Sequence, residues 1–318
     1  MLEIAVQMDP LERINFAGDS TFALMLEAKR RGHRLWFYTP EQLSLEGGSL
    51  TARGRPIDVF DDPSRYYELG DTRELDLIEM DVVLLRQDPP FDLAYITSTH
   101  FLERIQSRVL VVNDPGHVRN APEKVFVMEF AELMPPTLIT RDRAAIERFR
   151  ARHGDVVMKP LYGHGGAAVF KIGPRDPNFG SLFDMFSVSF REPWVVQQFL
   201  PEVAKGDKRI ILIDGEAMGA INRVPAQDDI RSNMVRGGAA AATELSPREQ
   251  EICARLGPEL KKRGLVFVGI DVIDGRLTEI NVTSPTGLRA LKRVGGPDLA
   301  IPLFDAIETR LEKLRVVK

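Results

Sequence analysis

The sequence predicts an α/β protein, with an open, mostly parallel β-α-β layer first and α+β layers built on antiparallel sheets after it. Three observations predict this. Through the first 120 residues, short apolar runs alternate with helix-like segments, the rhythm of parallel strands joined by crossover helices. After Asn120-Ala121-Pro122 the rhythm changes to short strands separated by turns, which favours antiparallel pairing. Near the end, residues 267–287 (FVGIDVIDGRLTEINVTSPTG) read as two strands joined at an Asp-Gly turn.

The elements follow in order. Residues 3–8 form an apolar strand that ends in Asp9-Pro10. Asp19 or Ser20 caps a helix carrying Phe22, Met25, Leu26 and Lys29, which stops at Gly32. Residues 35–38 are a second strand, and residues 41–75, rich in Gly, Pro and charge, are expected to be less regular with a small hairpin. A strand at 81–86 ends in Arg86-Gln87-Asp88-Pro89-Pro90, a helix covers 93–106, and a strand covers 109–112. Ligands of open parallel sheets bind beyond the strands' carboxyl ends. Asp9, Asn15, Arg86 and Asp88 are therefore candidates for substrate contact, with turn and ion-pair roles as the alternatives. Asn113-Asp114-Pro115-Gly116 and Asn120-Ala121-Pro122 mark a boundary. The expected division is 1–120 and 121–318, the latter split into 121–200 and 201–318. Beyond the boundary a helix begins near Pro122, and short strands are predicted at 155–160, 168–172, 193–199, 208–213 and 216–221.

The bulk properties narrow the function. A chain of 318 residues can bury a large core, and 44% hydrophobic with 28% charged residues is ordinary for a globular protein. A net charge of −4 argues against a nucleic-acid binder that works by broad phosphate neutralisation. No apolar run approaches the ~20 residues of a bilayer span, so no membrane partner is expected. The start, MLEIAVQMDP, lacks the basic and long apolar regions of a signal peptide, and a cytoplasmic protein is expected. A single cysteine, Cys253, excludes an intrachain disulfide. It shares a predicted helix, 247–262, with Ile252, Leu256 and Leu260, and reads as a core residue. The five histidines have no metal-ligand spacing.

The C-terminal hairpin carries the strongest chemical signal. A three-residue turn, Asp274-Gly275-Arg276, would set Ile273 against Leu277 and Asp271 against Glu279, with Asn281 further along the same face. The opposite face would then read Val268, Ile270, Val272, Thr278, Ile280 and Val282. A two-residue turn would mix the acids with Ile280 and Val282, so the three-residue turn is the expectation. Oxygen-bearing side chains on a rigid hairpin suit a hard cation such as Mg²⁺. The alternative is a polar face that simply meets water.

Upstream, Lys159 ends an apolar strand and precedes Gly163-His164-Gly165-Gly166. Glycines permit close backbone approach to phosphates and a lysine supplies a point charge; a plain hairpin turn is the other reading. Lys124 in the first turn of a helix is electrostatically unfavourable unless an anion lies nearby. Gln198, Phe199 and Leu200 lead from a strand into an extended connection suited to lying along an adenine. Asp207, Lys208, Arg209 and later Arg223 follow, and arginines suit a phosphoryl group or a substrate carboxylate. Residues 224–242, polar and then Gly/Ala-rich, are expected to form a mobile lid.

In this order, Lys124, Lys159 with GHGG, Gln198 to Leu200, GDKR, the Gly-rich segment and DVIDGRLTEINVTSPTG resemble the ATP-grasp ligases. The pieces IAVQMDPLERIN, DSTFALMLEAKRRGH, LLRQDPPFD and LVVNDPGHVRNAPEK resemble, within them, the bacterial glutathione synthetases along essentially the whole chain. The resemblance implies that Lys124 and Lys159 bind ATP phosphates and that Gly163, His164, Gly165 and Gly166 fold over them. It implies that Gln198, Phe199 and Leu200 hold the adenine, with Asp207 near the ribose. Asp271, Glu279 and Asn281 would bind two Mg²⁺, or Mn²⁺, while Arg209 and Arg223 stabilise the transferring phosphoryl group. The implied reaction joins γ-glutamylcysteine and glycine through an acyl phosphate, in a homotetramer. Asn15, Ser20, Arg86 and Asp88 would serve the substrate, and Ser284, Thr286 and Arg289 lie near enough in sequence to grip the glycine carboxylate. The chain departs from the family pattern at His164, commonly Met, at Gly287, sometimes Cys, and at Ala239, which follows Gly237-Gly238 where an arginine is frequent and for which Arg236 is a possible substitute. A ligase for another acceptor and a non-catalytic ATP-binding protein are the competing expectations.

Overall fold

The computed structural model describes residues 1–226 and 239–316. Three sheets build it. The first has a parallel centre, in the order Arg34–Tyr38, Glu3–Gln7, Val82–Leu85, Leu110–Val112. Helices Ser20–Arg30 and Leu93–Glu103 are the crossovers. Residues 41–75 are more regular than expected: the eleven-residue strand Ser49–Val59 pairs antiparallel with Arg34–Tyr38 and carries three short strands. Its alternating burial explains this, since Leu50, Ala52, Ile57 and Val59 face the core while charged neighbours face water.

The second sheet, here the cover, is antiparallel in the order Phe170–Ile172, Val156–Pro160, Trp194–Gln198, Thr137–Thr140. It has a core of its own around Ile146, Met158, Phe186 and Trp194. The third sheet, the floor, is antiparallel in the order Ala239–Ala242, Glu216–Val224, Asp207–Ile213, Phe267–Ile273, Arg276–Asn281. Its apolar face (Val268, Ile270, Val272, Leu277, Ile280) shares one core with Val83, Leu85 and Tyr95 of the first layer. The floor is thus fastened to the N-terminal layer, while the cover packs on itself.

Two expectations need correction. The turn of the last hairpin has two residues, with Ile273 opposite Arg276, and Asp274 (φ 49°) and Gly275 (φ 67°) both in the left-handed region of a primed turn. A β-bulge at Thr278 then restores Asp271 opposite Glu279. The bulge puts Leu277 rather than Thr278 into the core. Burying a leucine stabilises by about 1.5–3 kcal/mol, more than the roughly 1 kcal/mol of one disturbed ladder hydrogen bond. The Thr278 hydroxyl donates to the Asp271 carbonyl at 3.0 Å and lines the central cavity. The helix near Pro122 is a single turn, Glu123–Phe126, continued by the 3-10 segment Val127–Leu133. Most of the expected lid, including Arg236, Gly237 and Gly238, lies outside the described residues; its last four, Ala239–Ala242, are a floor strand. Helix Pro247–Lys262 starts on a Ser246/Glu249 capping box and buries Cys253, whose thiol burial pushes up to about 11. Among the described residues, no helix is long and apolar enough to cross a membrane.

Candidate active site

A cavity of about 960 Å³ opens where the three sheets meet. The cover and the floor send strand side chains into it, because strand alternation turns one face outward and the other to a core. The N-terminal layer contributes the loops beyond its strands' carboxyl ends, with Asp9, Asn15 and Asp88. On the floor, Asp207 lies opposite Arg223, and Arg209 opposite Asp271, which in turn lies opposite Glu279. These cross-strand positions become ion pairs. Arg209 grips Asp271 in bidentate fashion, Nε to Oδ1 at 2.6 Å and Nη2 to Oδ2 at 3.0 Å. Arg223 Nη2 lies 2.6 Å from Asp207 Oδ2 and 2.9 Å from Asp271 Oδ1. All four are buried. Burial works to raise the Asp271 pKa, but Arg209 and Arg223 hold it well below the usual carboxylate range. Burial likewise opposes the charge of Arg223, and Asp207 and Asp271 reverse this, raising its pKa.

The cover meets the floor at Glu279. Lys159, 120 residues earlier, reaches from the cover strand to Glu279 Oε1 at 2.8 Å, and Lys124 Nζ stands 3.7 Å from the same oxygen. Lys124 also donates to the Gly163 carbonyl at 2.7 Å and pairs with Glu123. Against the cost of burial, the two lysines keep the Glu279 pKa low. Burial would lower the Lys124 pKa, yet Glu279 and Glu123 raise it. Gly163, His164, Gly165 and Gly166 line the cavity opposite the floor, as do Gln198, Phe199 and Leu200. The backbone N–H groups of Gln198 and Phe199 are already committed, to the carbonyls of Pro136 and Asp155 at 2.9 Å.

Asp271, Glu279 and Asn281 offer oxygens from adjacent strands on one wall, and Asn281 Nδ2 lies 3.3 Å from Asp271 Oδ2. This donor set fits a hard cation. Among the described residues, no three His, Cys, Asp or Glu side chains are grouped to hold a metal by themselves. Such a wall suits an ion that brings phosphate oxygens with it, as Mg²⁺ does.

Asn15, Asp88, Ser284 and Thr286 also line the cavity. Ser20, Arg86 and Arg289 do not, and each has a physical reason. Arg86 is buried, donating from Nε to Thr21 Oγ1 at 3.0 Å and from Nη2 to the Pro285 carbonyl at 2.9 Å. The Ser284 hydroxyl donates back to the Arg86 carbonyl at 3.2 Å. Ser20 Oγ accepts the N–H groups of Gly287 and Leu288, capping helix Leu288–Arg293 from another part of the chain. These residues stand behind the wall and fix the loop that forms it. Arg289 lies over the Phe16 and Phe22 rings and pairs with Asp61. Conversely, Arg13, Asp19, Glu123, Thr278 and Arg293 line the cavity and were not singled out as site residues in the sequence. Asp19 was hidden by its evident cap role, which it does play toward Phe22 N at 2.6 Å. Arg13 and Arg293 carry no local signal.

The model of the prokaryotic glutathione synthetase N-terminal domain matches residues 2–119, and that of the ATP-grasp domain of the same enzymes matches residues 123–296. The chain belongs to the prokaryotic glutathione synthetase family. Its relatives within this family include the glutathione synthetase of Rhodopseudomonas palustris, 67% identical over 97% of this chain and 99% of the relative. That of Bradyrhizobium diazoefficiens is 66% identical over 98% and 99%. The glutathione synthetase of Shewanella oneidensis is 42% identical over 98% and 99%. Among solved structures, the D-cycloserine synthetase DcsG aligns with a TM-score of 0.65 at 16% identity, over 97% of this chain and 99% of that one. The ATP-grasp ligase PsnB, complexed with a minimal precursor, Mg and ADP, aligns at 0.63 and 19%, over 97% of each chain. At such identities these two structures show a shared fold alone, which for PsnB is that of an ATP-grasp ligase.

Proposed function

We propose that the chain is an ATP- and Mg²⁺-dependent ligase that joins γ-glutamylcysteine to glycine, giving glutathione, ADP and phosphate. One observation carries the reading: Lys159 of the cover meets Glu279 of the floor inside a cavity closed by loops of the N-terminal layer, in a chain that matches this family over residues 2–119 and 123–296. Lys124 and Lys159 supply fixed positive charge for the phosphates, with Gly163–Gly166 above them and Gln198–Leu200 beside the adenine. Asp271, Glu279 and Asn281 hold the metal, with two Mg²⁺ the proposed number and Mn²⁺ a possible replacement. When bound, the metal neutralises charge on the phosphate oxygens.

The cysteinyl carboxylate of the dipeptide attacks the γ-phosphorus, the bond to ADP breaks, and an acyl phosphate forms. The glycine amine then attacks the acyl carbon, phosphate leaves, and the nitrogen loses a proton as the amide forms. Arg209 and Arg223 neutralise the oxygens that gain charge, and their fixed ion pairs mean little reorganisation at that moment. Asp207, tied to Arg223, serves to hold that arginine. Asn15 and Asp88 face the dipeptide, and Ser284 and Thr286 face the glycine carboxylate. Ser20 and Arg86 act on the substrate only through the 284–288 loop. The enclosing walls keep water from the acyl phosphate. The resemblance to the bacterial enzymes also supports a cytoplasmic homotetramer, which light scattering on the purified protein checks for size.

The test is ADP release by purified protein with ATP, Mg²⁺, γ-glutamylcysteine and glycine. ADP that appears only with both substrates, together with glutathione by mass spectrometry, is expected. ADP released with another acceptor but not with glycine overturns the substrate assignment, and ATP binding without turnover overturns the ligase reading.

A further inference from the structure

The loop of residues 13–19 forms one wall of the cavity, with Ile14, Asn15, Ala17 and Asp19 among the residues that line it. Inside this loop the Asn15 carbonyl accepts from Gly18 N at 2.9 Å and from Asp19 N at 2.8 Å. Phe16 does not line the cavity; its ring packs on Phe22 at 5.2 Å and on Tyr66 at 5.5 Å between centroids. The Arg289 guanidinium stands 4.7 Å from the Phe16 centroid and 5.6 Å from that of Phe22. Arg289 Nη2 also donates to Asp61 Oδ1 at 2.8 Å. Arg289 belongs to helix Leu288–Arg293, whose start is capped by Ser20 Oγ. At the helix's far end, Arg293 donates to the Ala17 carbonyl. The helix follows closely on Ser284 and Thr286, which also line the cavity.

We propose that Arg289 is a positioning residue, which seats the Phe16 ring and so fixes the 13–19 wall that receives the dipeptide. The proposal rests on the assignment of Asn15 and its loop to γ-glutamylcysteine. Asn15 and Ala17 are the chain neighbours of Phe16, so a ring that shifts takes two cavity-lining residues with it. A guanidinium is attracted to the electron-rich face of an aromatic ring, and more strongly where water is kept away. The Arg289 side chain is 17% exposed, and its ion pair with Asp61 holds the guanidinium over the two rings. A wall fixed before the substrate arrives loses less conformational freedom on binding. A cation–ring contact corresponds to about three- to tenfold in an equilibrium constant. ATP is assigned to the cover and the floor, so the effect falls on the dipeptide and spares the nucleotide.

The test compares Arg289→Met, Phe16→Leu and the double variant, all as full-length chains. Hydrogen–deuterium exchange of peptides covering residues 13–19 reads the wall itself, and KM for each substrate with kcat reads the consequence. Arg289→Met is expected to speed exchange in this loop and to raise KM for γ-glutamylcysteine about three- to tenfold. KM for ATP, KM for glycine and kcat should stay within about twofold of the parent. Phe16→Leu removes the ring and should reproduce both effects. The double variant should match Phe16→Leu, because the ring that Arg289 seats is already gone. Parent-like exchange in Arg289→Met overturns the proposal, as does an unchanged KM for γ-glutamylcysteine in a chain that turns it over. An equal rise in KM for glycine would mean that Arg289 holds its own helix rather than the wall, and additive losses in the double variant would separate Arg289 from Phe16; either result also overturns it. Exchange needs no turnover, so a chain that rejects γ-glutamylcysteine fails the ligase reading yet still answers whether Arg289 fixes the wall.

Discussion

Asp207, Arg209, Arg223 and Asp271 on the floor are buried and tied to one another within one sheet, whereas in the glycine wall opposite His164 and Gly165 are exposed. The floor also shares its core with the N-terminal layer, while the cover sheet has a separate one. Charges that must neutralise developing charge work best when already fixed, and fixing buried charges requires that each be paired. A wall that admits a nucleotide has the opposite need, because its backbone must stay accessible to the ligand. The same cavity therefore joins a buried electrostatic surface to an exposed glycine-rich one.

The comparison can be broken by substitution. Glu279→Gln should lower turnover about a thousandfold while the circular dichroism spectrum stays that of the parent. Near-normal ADP release would remove Glu279 from the working floor. Next, Arg209→Met leaves the buried Asp271 carboxylate with Arg223 alone among its arginine partners in the described residues. Losing one partner of a buried pair costs about 3 kcal/mol, to be read from urea midpoints; a loss below about 1 kcal/mol would mean that the floor is not held by these pairs.

On the cover side, Gly165 sits at φ 62° with open space where an added Cβ would stand. Gly165→Ala should cost about 1 kcal/mol in strain, seen as weaker ATP binding with the urea midpoint little changed. A large stability loss would show that the wall is structural after all. The smallest effect lies outside both regions. Glu27 is hydrogen-bonded by Arg30 and Arg31, and Arg31 continues to Asp305 and Glu308 of the last helix. The hydrogen bond from Arg30 is the main cause holding the Glu27 pKa below its ordinary value, against burial. A depressed folded-state pKa contributes stability above the unfolded value that is lost as pH falls through the folded one. Glu27→Gln should therefore flatten the decline in stability below about pH 4.5, measured by denaturant midpoints across the acid range, and leave ATP binding unaltered.

By itself, the sequence determined which residues share a face. Period-two alternation put Asp271 against Glu279 and separated both from Val268 and Ile270, because a one-residue slip would have exposed the apolar set. The spacing of Ile252, Leu256 and Leu260 likewise placed helix Pro247–Lys262. Tertiary packing decided the rest. The turn closed on two residues with a bulge because Leu277 gains more by entering the core than Thr278 would. Arg86 and Ser20 ended behind the cavity wall because a loop some 200 and more residues later offered them backbone partners. The Lys159–Glu279 contact spans 120 residues. Local pattern is written in the spacing of neighbouring side chains, but which faces meet depends on how three sheets pack, and no short stretch of sequence contains that distance.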